Sequence, residues 1–204
     1  FKSLSSYVNK IQLSDVSNIL KVSSNKENVH KYTKGTCQII AGSYKYPGAS
    51  ILCSLAAQKT GSGYVHLFFE DHSPGESYIN KINLKITDII VSNYFDDEYK
   101  QYIPTLIGPG REKSIFYAQD KKEHKHLAMN NKYVIDAGEI YPNALRSYPS
   151  KSIITPHIGE INRLMPNLDI CKDIFNLYQL EKIQKKLDHK IIILKSFNTF
   201  IITK

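Results

Sequence analysis

The segment IAGSYKYPGAS, residues 40–50, constrains the fold of this chain more than any other stretch. It begins at the end of an apolar run predicted as a strand, passes through a Gly-Ser turn and reaches Pro47 and Gly48, which open an apolar helix. Backbone N–H groups at a helix start lack intrahelical partners, and glycine lets a ligand approach the main chain closely. The segment therefore predicts a strand–turn–helix cradle for an anionic or cofactor ligand at Gly42 and Gly48. Turns of this composition also occur without a ligand, so both interpretations stay open.

Apolar runs alternate with helical patterns along the rest of the chain. The predicted strands are Cys37–Ala41, Tyr64–Phe69, Asp88–Val91, Thr105–Ile107, Tyr133–Asp136, Ser152–Thr155, Ile191–Leu194 and Phe200–Thr203. The predicted helices are Leu13–Val22 (with Ser14 and Asp15 as cap residues), Gly48–Lys59, Ser114–Met129, Glu139–Arg146, Gly159–Leu164 and Phe175–Leu187, whereas Asp71–Asn83 has no clear period and is predicted as a loop. This alternation predicts an α/β protein with a mostly parallel central sheet and helices on both faces.

Length and composition limit the classes of function. The 204 residues suit one well-buried domain, and no apolar run approaches the roughly 18 residues of a membrane helix. The three cysteines Cys37, Cys53 and Cys171 are odd in number and widely spaced, which indicates a reducing, cytoplasmic location. The net charge of +8 suggests nucleic acid, but the lysines are spread along the chain. We therefore expect no specific nucleic-acid partner and no membrane.

Ligands of parallel sheets gather at the carboxyl ends of the strands. This rule selects the loops 42–48, 108–110, 136–139 and 156–160. The IGPG sequence at 107–110 forms either a rigid turn that lies flat against a ligand or a plain tight turn.

Three polar side chains at these strand ends could carry chemistry. His157 and Glu160 lie at a predicted helix start, where they either cap the helix or present the imidazole to a substrate. Asp136 follows an apolar run, and we expect it to meet a cation, a hydroxyl or a helix start, because a buried unpaired carboxylate is costly. His124 and His126 are two residues apart and face different sides of a helix, so no metal site is predicted.

Six segments, in chain order, resemble the ADP- or ATP-dependent NAD(P)H-hydrate dehydratases of the ribokinase-like superfamily. They are HKYTKG (30–35), IAGSYKYPGAS (40–50), IGPG (107–110), VIDAG (134–138), ITPHIGE (154–160) and ILKSFNT (193–199). The resemblance extends over residues 10–204 and implies a single ribokinase-like domain over residues 1–204.

The resemblance also implies a reaction, its ligands and its site. The enzyme is expected to be a lyase that uses ADP or ATP with Mg²⁺ to return hydrated NADH or NADPH to the intact reduced dinucleotide. A phosphoryl group passes to the hydroxyl of the hydrated nicotinamide ring, and phosphate then leaves. The implied substrate-binding residues are Ala49, Gly108, Gly110 and His157, and the implied nucleotide-binding residues are Lys195, Ser196, Phe197, Asn198 and Thr199. Because the family commonly forms symmetric oligomers, a homo-oligomer is an expectation.

The family pattern places its general base, an Asp, in a Gly-rich turn that would follow Lys204. The resemblance therefore implies no catalytic residue within this chain, which is expected to be a C-terminally shortened member, incomplete or inactive as it stands. Asp136 does not take over the role, because it matches a different family position. Other departures add side chains where the family pattern has smaller or different residues, at Tyr32, Arg111–Glu112, Ile158 and Ser196.

Two alternatives to a dehydratase remain. One is a catalytically inert relative that binds a nucleotide without turnover. The other is a small-molecule kinase of the same superfamily. Turnover of hydrated NADH separates the dehydratase from both.

Overall fold

The computed structural model describes residues 11–17, 34–70, 78–86, 88–93, 102–112, 132–168, 176–187 and 190–203. Within these residues the strands form one eight-stranded sheet in the order β3-β2-β1-β4-β5-β6-β7-β8. The strands are β1 (Thr36–Ile40), β2 (Tyr64–Phe69), β3 (Ile90–Asn93), β4 (Thr105–Ile107), β5 (Tyr133–Ile135), β6 (Ile153–Ile154), β7 (Ile191–Leu194) and β8 (Phe200–Ile202). Neighbouring strands are parallel except β7 and β8, which are antiparallel. The predicted mostly parallel sheet is confirmed.

Helices cover both faces of the sheet. They are α1 (Pro47–Lys59), α2 (Tyr78–Asn83), α3 (Pro142–Ser147), α4 (Ile158–Leu164) and α5 (Leu177–Lys186), with single 3₁₀ turns at Ala137–Glu139 and Pro166–Leu168. Residues 13–17 form a further short helix. None of the helices within the described ranges combines the length and the apolar character needed to cross a membrane.

The inner strands of the sheet are mostly apolar, because helices cover the sheet on both faces. Ile39 and Ile40 are successive residues of β1, each 1% exposed, and successive side chains of a strand point to opposite faces. Ile39 lies in a core cluster that includes residues of α1 and α2. Ile40 lies in a second cluster with residues of α3, α4 and α5. The two clusters therefore fill the two faces of one sheet.

Several sequence-based predictions need correction. The loop predicted over Asp71–Asn83 is wrong at Tyr78–Asn83, which form α2; its Ile82 is buried, so burial compensates for the weak period. Several other elements differ from their predicted bounds by one or two residues, and the predicted helix Glu139–Arg146 is a 3₁₀ turn followed by α3. Of the two expected cap residues of the N-terminal helix, Asp15 contributes to the cap through its side chain. Ser14 and Asp15 lie inside it, and Asp15 accepts a hydrogen bond from the Gln12 N–H at 2.8 Å. The predictions for Tyr32, Ser114–Met129, His124, His126 and Cys171 lie outside the described residues.

Candidate functional site

The strand order reverses at β1, which lies between β2 and β4. Ligands of open α/β sheets bind in the crevice at such a reversal, beyond the carboxyl ends of the strands. The loops that follow β1 and β4 are joined there, because the Gly42 N–H donates to the Pro109 carbonyl at 2.8 Å and the Gly108 N–H donates to the Ile40 carbonyl at 3.1 Å. The first two sequence-predicted loops therefore form one edge of the crevice.

Two of the predicted substrate-binding residues touch each other. Gly110 has φ +67°, and a Cβ at this position would lie 2.4 Å from the Cβ of Ala49. The loop after β4 can therefore pack against the first turn of α1 only with glycine at this position. Gly108 is equally constrained, since φ is +116° and a Cβ would lie 1.8 Å from the carbonyl oxygen of Asp136.

The two glycines of the predicted cradle play different roles. A Cβ on Gly42 would lie 2.8 Å from both the Phe69 ring and the Cβ of Ser50. The expectation that Gly42 admits a ligand is therefore wrong, because its missing side chain makes room for the protein itself. Gly48 has no atom within 4 Å of that position, which leaves the main chain at the start of α1 accessible. The N-cap residue Tyr46 makes no side-chain hydrogen bond to the helix.

Asp136 links the loops that follow β5, β6 and β7. Its Oδ1 accepts hydrogen bonds from the Thr155 hydroxyl at 2.6 Å and from the Lys195 ammonium at 2.7 Å. The expectation that this carboxylate meets a hydroxyl or a cation is therefore confirmed. The pKa of the Cys53 thiol on α1 is raised, mainly because the thiol is buried and to a smaller extent because the negative charge of Asp136 disfavours the thiolate.

His157 is the N-cap residue of α4. Its Nδ1 accepts a hydrogen bond from the Gly159 N–H at 2.9 Å, and the Glu160 carboxylate accepts one from the His157 N–H at 2.8 Å. This reciprocal arrangement is a capping box. The capping interpretation of this segment is confirmed, and a contact between His157 and a substrate stays a prediction. His157 also pairs with Lys195 through a parallel β-bridge.

A buried ionic cluster at the same edge was not predicted from sequence. The Arg111 guanidinium donates to Glu70 at 3.3 and 3.2 Å and to Glu139 at 3.2 Å, and the Tyr148 hydroxyl donates to Glu139 at 2.7 Å. We call these four residues the Arg111 cluster. The sequence carries no local signal for it, because Glu70 and Glu139 are 41 and 28 residues away from Arg111. The Arg111 guanidinium is held between two carboxylates, and Arg111 also lines the cleft described next.

A cleft of about 480 Å³ opens between these loops. It is lined by charged and small residues from four strand ends: Lys45, Tyr46, Arg111, Glu112, Ala137, Gly138, Glu160 and Arg163. Ala137 has φ +45°, a left-handed backbone conformation that is unusual for a residue with a side chain. Lys45 and Arg163, which sequence reasoning did not single out, supply two exposed cations to the walls.

The predicted nucleotide-binding residues form the turn between β7 and β8. Lys195 is the first residue of this turn, and its N–H donates to the Pro156 carbonyl at 2.8 Å. Phe197 is 91% exposed. The Ser196 Oγ is buried and has no hydrogen-bond partner among the described residues. The structure thus joins Lys195 to Asp136 and His157 and leaves Phe197 accessible from solvent.

Comparison with known proteins gives a consistent picture. The sequence profile described as NAD(P)H-hydrate dehydratase matches residues 37–204. The chain is 27% identical over 157 residues to an ATP-dependent (S)-NAD(P)H-hydrate dehydratase of Nematostella vectensis, which is 70% of this chain and 44% of that protein. It is 30% identical over 149 residues to an ADP-dependent (S)-NAD(P)H-hydrate dehydratase of Bacillus subtilis, which is 66% of this chain and 49% of that protein. The chain thus spans about half the length of these relatives.

Two solved structures have the same fold. The ADP/ATP-dependent NAD(P)H-hydrate dehydratase of Bacillus subtilis, co-crystallised with ATP and Mg²⁺, superposes with a TM-score of 0.65 at 24% identity over 88% of this chain and 64% of that one. A ribokinase-like superfamily protein of Enterococcus faecalis superposes with a TM-score of 0.66 at 22% identity over the same shares, 88% and 64%. The ribokinase-like fold implied by the sequence resemblance is confirmed. With a profile match over residues 37–204, the chain belongs to the NAD(P)H-hydrate dehydratase family.

Proposed function

We propose that this chain binds hydrated NADH or NADPH together with ADP or ATP, as part of the dehydration that restores the reduced dinucleotide. The observation that supports this most is the convergence of the predicted site residues at one edge of the sheet. Gly110 packs on Ala49, Gly108 packs on Asp136, and Asp136 pairs with Lys195. A dinucleotide and a nucleotide must lie side by side for phosphoryl transfer, and this edge offers adjacent loops for both.

The substrate side of the proposed site is the edge formed by Ala49, Gly108, Gly110 and His157. Gly110 keeps the loop after β4 against α1, and Gly108 keeps it against the loop after β5, so the main chain is the surface that a planar nicotinamide ring would meet. His157 supplies an imidazole that is 57% exposed at the start of α4. Lys45 and Arg163 line the adjoining cleft and give it positive charges suited to the phosphates of a dinucleotide.

The nucleotide side is the turn Lys195–Thr199. Its first residue carries a cation, and the exposed ring of Phe197 is suited to stack on a base. Among the described residues no group of three His, Cys, Asp or Glu side chains could hold a metal ion. Mg²⁺ is usually bound by one or two carboxylates together with substrate phosphates and water, and at this site it would neutralise phosphate charge.

Phosphoryl transfer to the substrate hydroxyl also needs a group that removes its proton. Asp136 is poorly suited to that role, because its Oδ1 already accepts hydrogen bonds from Thr155 and Lys195. The family resemblance gives this role to an Asp in a Gly-rich turn, and we assign it to none of the described residues. The described residues would then bind and orient both ligands.

The test measures binding and turnover separately. Calorimetry with ADP and with ATP, each with Mg²⁺, should show binding that weakens in Lys195→Met and is unchanged in Lys132→Met, a lysine at the opposite, amino end of β5. A form of the protein that contains the Gly-rich Asp turn of the family pattern, given hydrated NADH, Mg²⁺ and ADP or ATP, should regain the near-ultraviolet absorbance of NADH. If such a protein binds ATP yet restores no NADH, the proposal is refuted. Phosphorylated product without NADH would favour the small-molecule kinase.

A further inference from the structure

We propose that Gly159 and Glu160 lock the His157 imidazole in the neutral tautomer that carries its proton on Nε2, so that the ring is a one-directional hydrogen-bond donor to the ligand. The lock is a property of the protein alone. Its use on hydrated NAD(P)H rests on the proposed function.

The tautomer follows from the cap. A backbone N–H can only donate, and the Gly159 N–H lies 2.9 Å from Nδ1. Nδ1 must therefore accept with its lone pair, which leaves the single proton of a neutral imidazole on Nε2. The opposite tautomer would set an Nδ1–H against the Gly159 N–H and would break the helix cap.

Gly159 also fixes the position of the ring. A Cβ on Gly159 would lie 2.8 Å from the His157 Cε1 and 3.2 Å from Nδ1. Real Cβ atoms do not approach ring atoms this closely, so any larger residue would push the imidazole away from the helix start. Glycine at the second position of α4 is thus required by the ring, although its φ is not left-handed.

Glu160 orients the second nitrogen. Its buried carboxylate places Oε1 3.5 Å from Nε2, while Oε2 accepts from the His157 N–H. A distance of 3.5 Å exceeds that of a full N–H···O hydrogen bond, which is about 2.7–3.2 Å. The Nε2–H therefore lies toward the Glu160 carboxylate without making a full hydrogen bond to it, and a ligand oxygen can accept this hydrogen bond instead. Gly159 and Glu160 are positioning residues, and His157 is the group that touches the ligand.

This arrangement assigns a role to His157. An Nε2–H tautomer donates to a carbonyl or phosphoryl oxygen and cannot accept a proton at Nε2. Within the proposed site its ligand is an oxygen of the hydrated dinucleotide, and its contribution is to orientation and not to base catalysis.

The tautomer is tested by long-range ¹H–¹⁵N NMR of the imidazole in the ligand-free protein at neutral pH. The chain has 7 histidines, so the His157 signal is assigned by its loss in His157→Gln. We expect an Nε2–H pattern in the wild type and its loss in Gly159→Ala. Gly48→Ala, at the matching second position of α1, should leave the His157 signal unchanged because that site is open. An Nδ1–H pattern or a rapidly averaged mixture in the wild type would overturn the inference.

Two substitutions separate the cap from the donor. His157→Ser keeps a good N-cap but has no donor long enough to replace Nε2–H, whereas His157→Gln is a poor cap with an amide donor in a similar place. With NADPH as a fluorescent, non-reacting probe, we expect His157→Ser to bind about tenfold more weakly at unchanged thermal stability. His157→Gln should lose thermal stability and bind NADPH more tightly than His157→Ser.

Equal NADPH affinity of His157→Ser and wild type would overturn the donor role. The NMR result does not depend on ligand binding, so an Nε2–H tautomer in a protein that binds neither nucleotide nor NADPH would refute the proposed function and support the lock.

Discussion

Replacing Arg111 by methionine should destabilise the whole domain, because the Arg111 cluster joins three strand ends. Its guanidinium lies between Glu70, which follows β2, and Glu139, in the 3₁₀ turn after β5. The Arg111 and Glu139 side chains are 4% and 2% exposed, and that of Glu70 is 12% exposed. Methionine fills a similar volume without charge, so the substitution removes the Arg111 cation from two carboxylates that have little contact with solvent.

The expected loss is large for a single residue. Removing one partner of a buried ion pair costs about 3–5 kcal/mol, since the remaining charge stays desolvated. The total free energy of unfolding of a domain is about 5–15 kcal/mol, so the loss is a large fraction of it. With a slope of about 2–3 kcal/mol per molar urea, the midpoint of unfolding should fall by about 1–2 M.

Urea unfolding followed by circular dichroism measures this loss. Arg163→Met is the matched control, because Arg163 is 48% exposed and lies 3.7 Å from Glu160; its loss should be at most about 1 kcal/mol. The double substitution Arg111→Met with Glu139→Gln should cost less than the sum of its parts, since it also removes a stranded carboxylate. If Arg111→Met unfolds within about 1 kcal/mol of wild type, the cluster is not a stabilising buried network and the reasoning fails.

Three further predictions concern the site loops. Gly108→Ala should lower the free energy of unfolding in urea by several kcal/mol, because Gly108 has φ +116° and a Cβ there would lie 1.8 Å from the Asp136 carbonyl oxygen. Gly48→Ala should be neutral or slightly stabilising, and similar losses in both variants would contradict the packing argument. Asp136→Asn should change the free energy of unfolding by less than about 1 kcal/mol, because Lys195 is 45% exposed and the carboxamide oxygen can still accept from the Thr155 hydroxyl. A larger loss would contradict the exposure of the Asp136–Lys195 pair in the structure. Burial and the Asp136 charge raise the pKa of Cys53, so a smaller fraction of this thiol is ionised at a given pH. Alkylation of Cys53 should be slow at neutral pH and faster in Asp136→Asn, and an unchanged rate would exclude the electrostatic effect of Asp136.

Local sequence signals predicted most elements of the fold. The first and last residues of β2, β4 and β7 were predicted correctly, because a strand buried on both faces is a continuous apolar run that can be recognised without knowledge of its neighbours. The helix α2 was missed, because its six residues bury little more than Ile82 and carry no clear period. Family-like motifs selected loops that the structure brings together at one edge of the sheet, because the carboxyl ends of parallel strands meet there.

The partners of the site residues could not be predicted in this way. The sequence by itself determined the alternation of strands and helices, the positions of the turn glycines and the family to which the motifs belong. Only the tertiary structure decided that Asp136 pairs with Lys195, 59 residues away, and that Arg111 turns toward Glu70 and Glu139. The physical reason is that periodicity and turn chemistry act over a few residues, whereas ion pairs depend on which strands lie side by side. That order follows from the packing of the whole sheet.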